Sequence, residues 1–425
     1  MADPATARAS DSPAHLKLGL AIHGLRLSDE IEAATLEGRP MAARDYGSRE
    51  LELILPGDVL ARCPVTTEAA KRSPYLLDVI NDRFVVRSGD AEPVAVELVA
   101  APLFYGEKTN SGTPMWQIGT VHAGYISIDP ASTCGFAMQG LACKFCTLAN
   151  DEPAPDTAGA VAAPAELRAV DEITEVIRAA FEEGAAEFVY FNTGYFDAND
   201  GGFSFIEPYI DAVKREFDTI VALEIHPPAD NKWIDRTYAA GVDALSYAVE
   251  IHDPDILAEI CQGRANLIGR DRYYEALAYA AKIFPSGTVW SDLIVGLEPA
   301  ESTRAGIDKL TAMGVLPILS LFRPLDETEL SQYPLPRPED VAPLYAHLYS
   351  AVRDAKINVQ LMRDLGYAIT PIEARFFAGQ DAKFDVAVSS FYRSKLGGRT
   401  VRGLSKLRRR LRVKRVSESF DSSKL

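Results

Sequence analysis

The sequence predicts an α/β fold built around a parallel (β/α) partial TIM barrel of about six strands, with a mixed α/β region before it and an extension after it. Strand-like and helix-like segments alternate from about residue 124 to residue 325. This alternation is typical of a parallel sheet with right-handed crossovers, and a continuous series favours a full or partial barrel. The composition agrees, because 47% hydrophobic and 24% charged residues over 425 positions are ordinary values for a globular protein.

Each predicted strand is a short apolar run, and each predicted helix has apolar residues at helical spacing. The six strands are Tyr125–Ile128, Glu187–Asn192, Ile220–His226, Ala244–Glu250, Val289–Val295 and Leu316–Phe322. The helices between them are Glu172–Glu183, Ile206–Phe217, Lys232–Ala240, a long stretch ending at Phe284, and Thr303–Ala312.

The chain divides into three predicted regions, which suits its length because a domain has roughly 100–200 residues. Residues 1–118 alternate short apolar stretches with Gly, Asp and Pro, a pattern that predicts short strands and turns. Residues 119–330 form the barrel core. Residues 331–425 form a C-terminal extension with a proline-rich linker, one helix and a basic tail.

The charge distribution disfavours nucleic-acid binding by most of the chain. The net charge is −16, yet residues 393–425 carry twelve Lys and Arg against only Glu418 and Asp421. The strongly acidic remainder repels nucleic acid, so such a role would be confined to the tail. Leu404, Leu407 and Leu411 predict an amphipathic basic helix there, which either docks on the acidic body or contacts phosphates.

The sequence predicts a cytoplasmic protein with no membrane segment. No apolar run approaches the ~18–20 residues that span a bilayer, and the first residues lack the pattern of a secretory signal. Thiols stay reduced in the cytoplasm, so the five cysteines are expected to be ligands, catalysts or core residues rather than disulfides. Cys63 and Cys261 each stand alone in apolar stretches and are predicted to be core residues.

A cysteine-bearing loop after the first barrel strand is the strongest chemical feature. Cys134 is followed eight residues later by Cys143, and Cys146 follows with Phe145 directly before it. A structural zinc site needs four protein ligands, and His122 is the nearest candidate for the fourth. Three thiolates alone suit an iron–sulfur cluster with one open iron. Active sites of parallel barrels lie at the carboxyl ends of the strands, where this loop begins.

This loop resembles the cluster-binding loop of the radical S-adenosylmethionine (radical SAM) superfamily. The resemblance implies that Cys134, Cys143 and Cys146 ligate a [4Fe–4S] cluster and that S-adenosylmethionine chelates the fourth iron. The usual spacing in that family is three and then two residues. This chain keeps the second gap and the aromatic Phe145, but it has eight residues in the first gap.

Further segments resemble the family in the expected order along residues 125–325. Asn192, Thr193 and Gly194 occupy the place of the turn that binds the methionine amino group, and a glycine allows close backbone approach. Ser246 and Glu250, which share a strand face by the two-residue period, resemble the strand that binds the ribose hydroxyls. Gly296 follows the fifth strand, which packs against the adenine in relatives.

A looser resemblance is to the biotin-synthase-like branch, in particular to members encoded beside nitrilases. The stretch from Phe104 to Cys146, the strand that ends in Glu250 and the segment Leu321–Leu325 carry it. Members of that branch have further cysteines near the C-terminus, whereas this sequence has none after Cys261.

Polar residues on the predicted strands indicate what the barrel interior could bind. Glu224 and His226 share one strand face, Asp292 lies on the fifth strand and Arg323 follows the sixth. A purely structural barrel interior would be apolar. If these side chains point inward, the carboxylates could orient a cationic substrate group and Arg323 an anionic one. If they point outward, they are solvated or face the helices.

The resemblance implies an enzyme that generates a 5′-deoxyadenosyl radical and removes a hydrogen atom from a small-molecule substrate. Rearrangement, cleavage, oxidation and ligation all stay open as outcomes. An external electron donor of the flavodoxin or ferredoxin type is implied as a partner. The alternative from another class is a metal-binding regulatory or nucleic-acid-associated protein that uses the basic tail.

Overall fold

The computed structural model describes residues 13–29, 31, 50–122, 124–131, 133–147, 167–359 and 368–379. The predicted basic tail lies outside these residues. In the described part of the chain, every helix is too short or too polar to cross a membrane.

A seven-stranded sheet forms the centre of the molecule, and its strands are neighbours in sequence order from β8 to β14. Six of them, β9 to β14, pair in parallel, whereas β8 pairs with β9 in antiparallel fashion. The predicted fold class, a parallel partial barrel of about six strands, is confirmed. The strands are β8 (Gly119–His122), β9 (Tyr125–Ile128), β10 (Phe188–Asn192), β11 (Val221–Glu224), β12 (Ala244–Ser246), β13 (Val289–Val295) and β14 (Leu316–Leu321).

Helices connect the parallel strands and pack on the sheet. The first long one, residues 170–183, buries Ile173, Val176, Ile177 and Ala180 at helical spacing and ends at Gly184, which has φ 78°. The helices of this region are α3 (Gly135–Met138), α4 (Val170–Glu183), α5 (Phe203–Glu216), α6 (Lys232–Ala240), α7 (Pro254–Ile260), α8 (Arg270–Ile283), α9 (Ala300–Ala312) and α10 (Pro338–Asp354).

The side chains of the sheet alternate between the helix-facing core and the barrel interior. Pairing in register aligns Asn192, Glu224, Ser246 and Trp290 across four adjacent strands. Tyr190, one side-chain step earlier on β10, lies with its ring 6.0 Å from that of Trp290. Aromatic rings therefore fill the lower part of the interior, and polar groups lie above them, where the strands end.

The N-terminal region forms two small sheets, as its short apolar stretches predicted. Strands β2, β3 and β7 form one, and β1, β4, β5 and β6 form the other. Cys63 is fully buried in their shared apolar core. The elements are α1 (Pro13–His23), β1 (Arg26–Leu27), β2 (Glu50–Leu55), β3 (Val59–Pro64), α2 (Glu68–Lys71), β4 (Tyr75–Ile80), β5 (Arg83–Ser88), β6 (Val94–Ala95) and β7 (Glu97–Leu98).

Ion pairs and one helix connect the outer parts to the barrel and to each other. Arg323, after β14, pairs with Glu50 of β2, and Lys17 of α1 lies 2.7 Å from Glu373. In the region predicted as the C-terminal extension, α10 packs on α9, and the Tyr345 hydroxyl donates to the carbonyl of Leu319 at 3.0 Å. The domain boundaries near residues 118 and 330 stay predictions.

Candidate functional site

The cysteine loop lies at the carboxyl edge of the parallel strands, as the sequence predicted. β9 ends at Ile128, and Cys134, Cys143 and Cys146 follow on the described segment 133–147. The Cys146 backbone N–H donates to the Cys143 carbonyl at 2.9 Å, which forms a tight turn around Phe145. The loop is thus held beside the ends of β10 to β14, which in a parallel barrel is the edge that carries chemistry.

The end of β10 touches the loop so closely that only glycine fits there. A Cβ on Gly194 would lie 2.9 Å from the Cα of Cys134 and from the carbonyl oxygen of Thr133. The next residue, Tyr195, donates its backbone N–H to the Cys134 sulfur at 3.3 Å and accepts from the Gly135 N–H at 2.8 Å. The predicted glycine turn is therefore adjacent to the first cysteine.

Aromatic rings support the loop from below. Phe136 stacks on Tyr195, with centroids 4.2 Å apart, and the ring of His226 meets Phe136 edge-on at 4.9 Å. The Nδ1 atom of His226 lies 2.8 Å from the Tyr273 hydroxyl. Burial, with a smaller effect of Arg264, holds the pKa of His226 well below its usual value, so its imidazole is neutral. His226, predicted as a possible substrate residue, lies beneath the loop instead of lining the cavity described below.

Cys261 is not isolated, contrary to the sequence interpretation. This fully buried residue follows α7 and packs with Cys143 in one apolar cluster. The neighbouring Cys261 and the Arg264 guanidinium lower the pKa of Cys143, whereas burial and the neighbouring Cys143 raise that of Cys261. Cys143 is thus the thiol of this pair that more readily exists as a thiolate, the form that binds metals.

The donor set around the loop fits an iron–sulfur cluster better than zinc. His122, the candidate fourth zinc ligand, pairs with Tyr125 at the start of β9, so it lies at the opposite end of that strand from the loop. In the described residues, no three His, Cys, Asp or Glu side chains are close enough together to hold a metal ion. The loop nevertheless supplies three sulfur donors and no histidine or carboxylate, as cluster sites do.

Glu250 reaches the site through a break in the strand and not by continuing it. The prediction of one strand over 244–250 is wrong, because β12 ends at Ser246 and Glu250 has φ 67°. The Glu250 N–H donates to the Asp292 carbonyl at 2.9 Å, and its own carbonyl accepts from Ile294 at 2.8 Å. These bonds to β13 hold a conformation that non-glycine residues rarely adopt. The simple two-residue period that grouped Ser246 with Glu250 therefore does not apply.

Arg264 and Glu250 form an ion pair next to the cysteines. Arg264 Nη2 lies 2.9 Å from Glu250 Oε1, and Nη1 lies 2.5 Å from the Ala248 carbonyl oxygen. Burial raises the pKa of Glu250 to about 7, opposed by Arg264 and reinforced by Glu224 and Cys143. The Nε atom of Arg264 is buried and has no hydrogen-bond partner among the described residues. Arg264 thus keeps one donor for a bound group, and no pattern in the sequence marked it.

A cavity opens at this edge of the barrel and brings together predicted residues from six segments. It contains about 780 Å³ of empty space, including its open mouth. The predicted site residues that line it are Phe145, Asn192, Glu224, Glu250, Asp292 and Arg323.

Two carboxylates of the cavity accept hydrogen bonds from neutral hydroxyl groups. The Tyr190 hydroxyl donates to Glu224 Oε2 at 3.0 Å, and the Ser320 hydroxyl donates to Asp292 Oδ1 at 2.8 Å. Burial, with the neighbouring Glu224 and Glu250, raises the pKa of Asp292 well above its usual value. This part of the interior is therefore acidic.

Arg323 lines the cavity, but its guanidinium forms an ion pair with a residue of the N-terminal sheet. Its guanidinium contacts the Glu50 carboxylate, which also lies 3.4 Å from Arg62. The sequence suggested that Arg323 could orient an anionic substrate group. In the structure it links the barrel to the N-terminal sheet.

The remaining predicted residues lie around the cavity. Thr193 is buried and donates its backbone N–H to the Glu224 carbonyl at 3.2 Å, which ties β10 to β11. Gly296 follows β13 with φ 108°, and a Cβ there would lie 3.0 Å from Pro336. Ser246 is fully buried in the barrel interior, in register with Glu224.

Comparison with known proteins finds enzymes. No protein-family model matches the chain. Among curated proteins, it is 24% identical over 148 residues to bacteriochlorophyllide c C-7(1)-hydroxylase of Chlorobaculum limnaeum. That match covers 34% of this chain and only 37% of the hydroxylase, so the two share about a third of their lengths.

Solved structures with the same kind of fold include two enzymes. A methylornithine synthase has 15% identity and a TM-score of 0.41, and the match covers 54% of this chain and 63% of the synthase. A radical SAM methyltransferase from Sphaerobacter thermophilus has 13% identity and a TM-score of 0.38, with 65% and 75% of the two chains covered. These partial similarities agree with the resemblance to radical SAM proteins and with the enzyme that the sequence predicted.

Proposed function

We propose that the chain is a radical SAM enzyme that acts on a small-molecule substrate in the cavity at the carboxyl edge of its barrel. The observation that carries this proposal is the juxtaposition of the cysteine loop, the Gly194 turn and the Glu250–Arg264 pair beside one cavity. Each of these features comes from a different strand end, and radical SAM enzymes use the same edge for their cofactors.

The thiols of Cys134, Cys143 and Cys146 would hold a [4Fe–4S] cluster, and S-adenosylmethionine would bind next to it. When bound, this pair supplies a 5′-deoxyadenosyl radical that removes a hydrogen atom from the substrate. The neighbouring Cys261 and the Arg264 guanidinium lower the pKa of Cys143 and so favour the thiolate that a cluster requires. The close contact between Gly194 and Cys134 places the turn beside the first proposed ligand, where its backbone carbonyls would accept from an ammonium group.

Two charged side chains would orient S-adenosylmethionine. Glu250 is the proposed acceptor for the ribose hydroxyls, since its carboxylate lines the cavity beside Cys143. Arg264, whose Nε has no partner, is the proposed donor to the carboxylate of the methionine part. Asn192 and Thr193, with Gly194, are the candidates for the amino group, and Gly296 for the adenine.

The rest of the chain would position the substrate and exclude water. The neutral His226, with Phe136 and Tyr195, keeps the loop packed on the barrel without adding charge. Tyr190 and Trp290 close the interior below the cavity. An external reductant of the flavodoxin or ferredoxin type and a cytoplasmic location, where the thiols stay reduced, belong to the same proposal.

Anaerobic purification and reconstitution test the proposal. A brown protein that absorbs near ~400 nm, as iron–sulfur centres do, with about four iron and four sulfide per chain is expected. Adding S-adenosylmethionine should change the electron paramagnetic resonance signal of the reduced cluster. A colourless zinc protein would instead favour the metal-binding alternative. A Phe145→Leu variant, which keeps all three thiols, should still load iron.

A further inference from the structure

The barrel interior beneath the proposed cofactor site has its own set of polar groups. Glu224, Ser246 and Trp290 lie in register on β11, β12 and β13, so their side chains point to the same face of the sheet. Asp292 is one side-chain step further along β13, and Asn192 pairs with Glu224 from the other side. The two carboxylates and the amide line the cavity, and the Ser246 hydroxyl is buried on the same face of the sheet.

The hydroxyl of Ser246 in this set has no hydrogen-bond partner. Ser246 has 0% of its surface exposed, and its Oγ contacts no donor or acceptor among the described residues. An unsatisfied buried hydroxyl is destabilising, and the large majority of buried polar groups in proteins have partners. The orphaned hydroxyl, in register with Glu224, indicates that a bound molecule supplies the missing partner.

The charge of this space is negative, because the neighbouring guanidinium groups are engaged. Arg264 donates to Glu250 and to the Ala248 carbonyl, and Arg323 pairs with Glu50. The charges that raise the pKa of Asp292, after burial, are those of Glu224 and Glu250. An anionic substrate would be repelled here, whereas a cation would relieve the repulsion between the carboxylates.

We propose, on the basis of the proposed function, that the substrate carries a protonated amino group that binds between Glu224 and Asp292. A neighbouring polar atom of the substrate forms a hydrogen bond with Ser246. The aromatic floor agrees with this assignment. Tyr125, Tyr190 and Trp290 form a continuous set of rings, with centroids 5.6 Å and 6.0 Å apart. Aromatic faces attract cations, and the closed floor limits the substrate to a small molecule. Ser246 thus serves the substrate and not the ribose with which the strand period had grouped it.

Binding of matched amines and alcohols tests the substrate class. Straight-chain primary amines of two to six carbons and the corresponding alcohols would be titrated by calorimetry into the reconstituted enzyme with S-adenosylmethionine. The amines should bind roughly ten- to a hundredfold more tightly than the alcohols, as expected for hydrogen bonds to charged groups. No preference for amines in any member of the series would overturn the proposal.

Substitutions assign the preference to these residues. Asp292→Asn and Glu224→Gln keep the shape of the side chain and should reduce the affinity ratio of amines to alcohols to near unity. Ser246→Ala should weaken the binding of amines that carry a second polar atom. Glu207→Gln, in an exposed ion pair on α5, is the matched control and should change nothing. Unchanged amine preference in correctly folded Asp292→Asn and Glu224→Gln proteins would contradict the proposal.

The same samples separate this inference from the proposed function. If reductant and S-adenosylmethionine give 5′-deoxyadenosine but amines neither bind preferentially nor stimulate its formation, the substrate class is wrong and the enzyme class stands. If an intact cluster gives no 5′-deoxyadenosine under any condition, the proposed function itself fails.

Discussion

Two groups of buried charges meet at Arg323, and they differ in their balance. On the side of the N-terminal sheet, Glu50 and Glu52 lie near Arg62, and Arg323 completes the group with a second positive charge. Glu50 and Arg62 have side chains only 5% and 8% exposed, so each charge needs its partner. Two carboxylates and two guanidinium groups form a network of balanced charge that holds two parts of the protein together.

On the other side of Arg323, the barrel interior has more negative than positive charge. Glu224, Glu250 and Asp292 face the cavity, and Arg264 is paired with only one of them. The comparison teaches that balanced buried charges serve the fold, whereas a surplus of one sign indicates a ligand of the other. The predictions below concern substitutions either in the balanced network or at the cavity.

The largest effect is expected when a cysteine of the loop is replaced. Cys143→Ala should abolish iron loading after anaerobic reconstitution, because it removes one of three thiolates on the loop. Cys63→Ala, in the N-terminal core, and Cys261→Ala, beside the loop, should keep full iron and sulfide content. Iron and sulfide assays check this. Full iron in Cys143→Ala would refute the ligand assignment, and loss of about half the iron in Cys261→Ala would indicate a further cluster ligand.

The balanced network should lose stability when one partner is removed. Arg323→Met leaves the buried Glu50 without its closest cation, which costs about 3–5 kcal/mol of unfolding free energy. The double variant Glu50→Gln/Arg323→Met should recover part of this loss. Arg236→Met, which breaks a surface pair with Glu207, is the control and should cost at most about 1 kcal/mol. Urea unfolding measures all three, and an equal small cost for both arginines would contradict the comparison.

Local sequence patterns predicted the barrel well, because each strand is a short apolar run and each helix repeats apolar residues at helical spacing. All six parallel strands were predicted in order, and the cysteine loop was placed at the correct edge from its position after the first strand. β12 was predicted four residues too long, since the bonds that turn the chain at Glu250 come from β13, more than forty residues away.

Contacts between distant segments could not be predicted in this way. The pair of Arg323 with Glu50 joins residues 273 positions apart, and no local pattern marks them as partners. For the same reason, Cys261 was taken for an isolated core cysteine, although α7 brings it to Cys143, and Arg264 was missed. Chemical groups that converge by tertiary folding need a structure to be recognised.

A smaller effect is expected when the site loses one carboxylate. Glu250→Ala should keep the cluster but bind S-adenosylmethionine roughly ten- to a hundredfold more weakly, because a charged hydrogen bond contributes about 1.5–3 kcal/mol. Equilibrium binding to the reconstituted protein measures this. Glu207→Gln, far from the cavity on α5, serves again as control. Unchanged affinity in Glu250→Ala would mean that its carboxylate does not contact the cofactor.

The smallest effect concerns the dependence of stability on pH. The pKa of the Asp292 carboxyl is higher in the folded than in the unfolded protein. As the pH rises from the unfolded to the folded pKa, this carboxyl therefore destabilises the folded state increasingly. Asp292→Asn removes that penalty. The melting temperature of the variant relative to the wild type should therefore increase as the pH rises from about 4. A difference that stays constant between pH 4 and 8 would show that Asp292 titrates normally.

The most direct test of the proposed chemistry is the formation of 5′-deoxyadenosine. The anaerobically reconstituted protein would be incubated with S-adenosylmethionine and dithionite, and the products quantified by liquid chromatography and mass spectrometry. We expect slow formation of 5′-deoxyadenosine and methionine in the wild type and none in Cys143→Ala. An intact cluster in the wild type without any 5′-deoxyadenosine would contradict the assignment of this protein as a radical SAM enzyme.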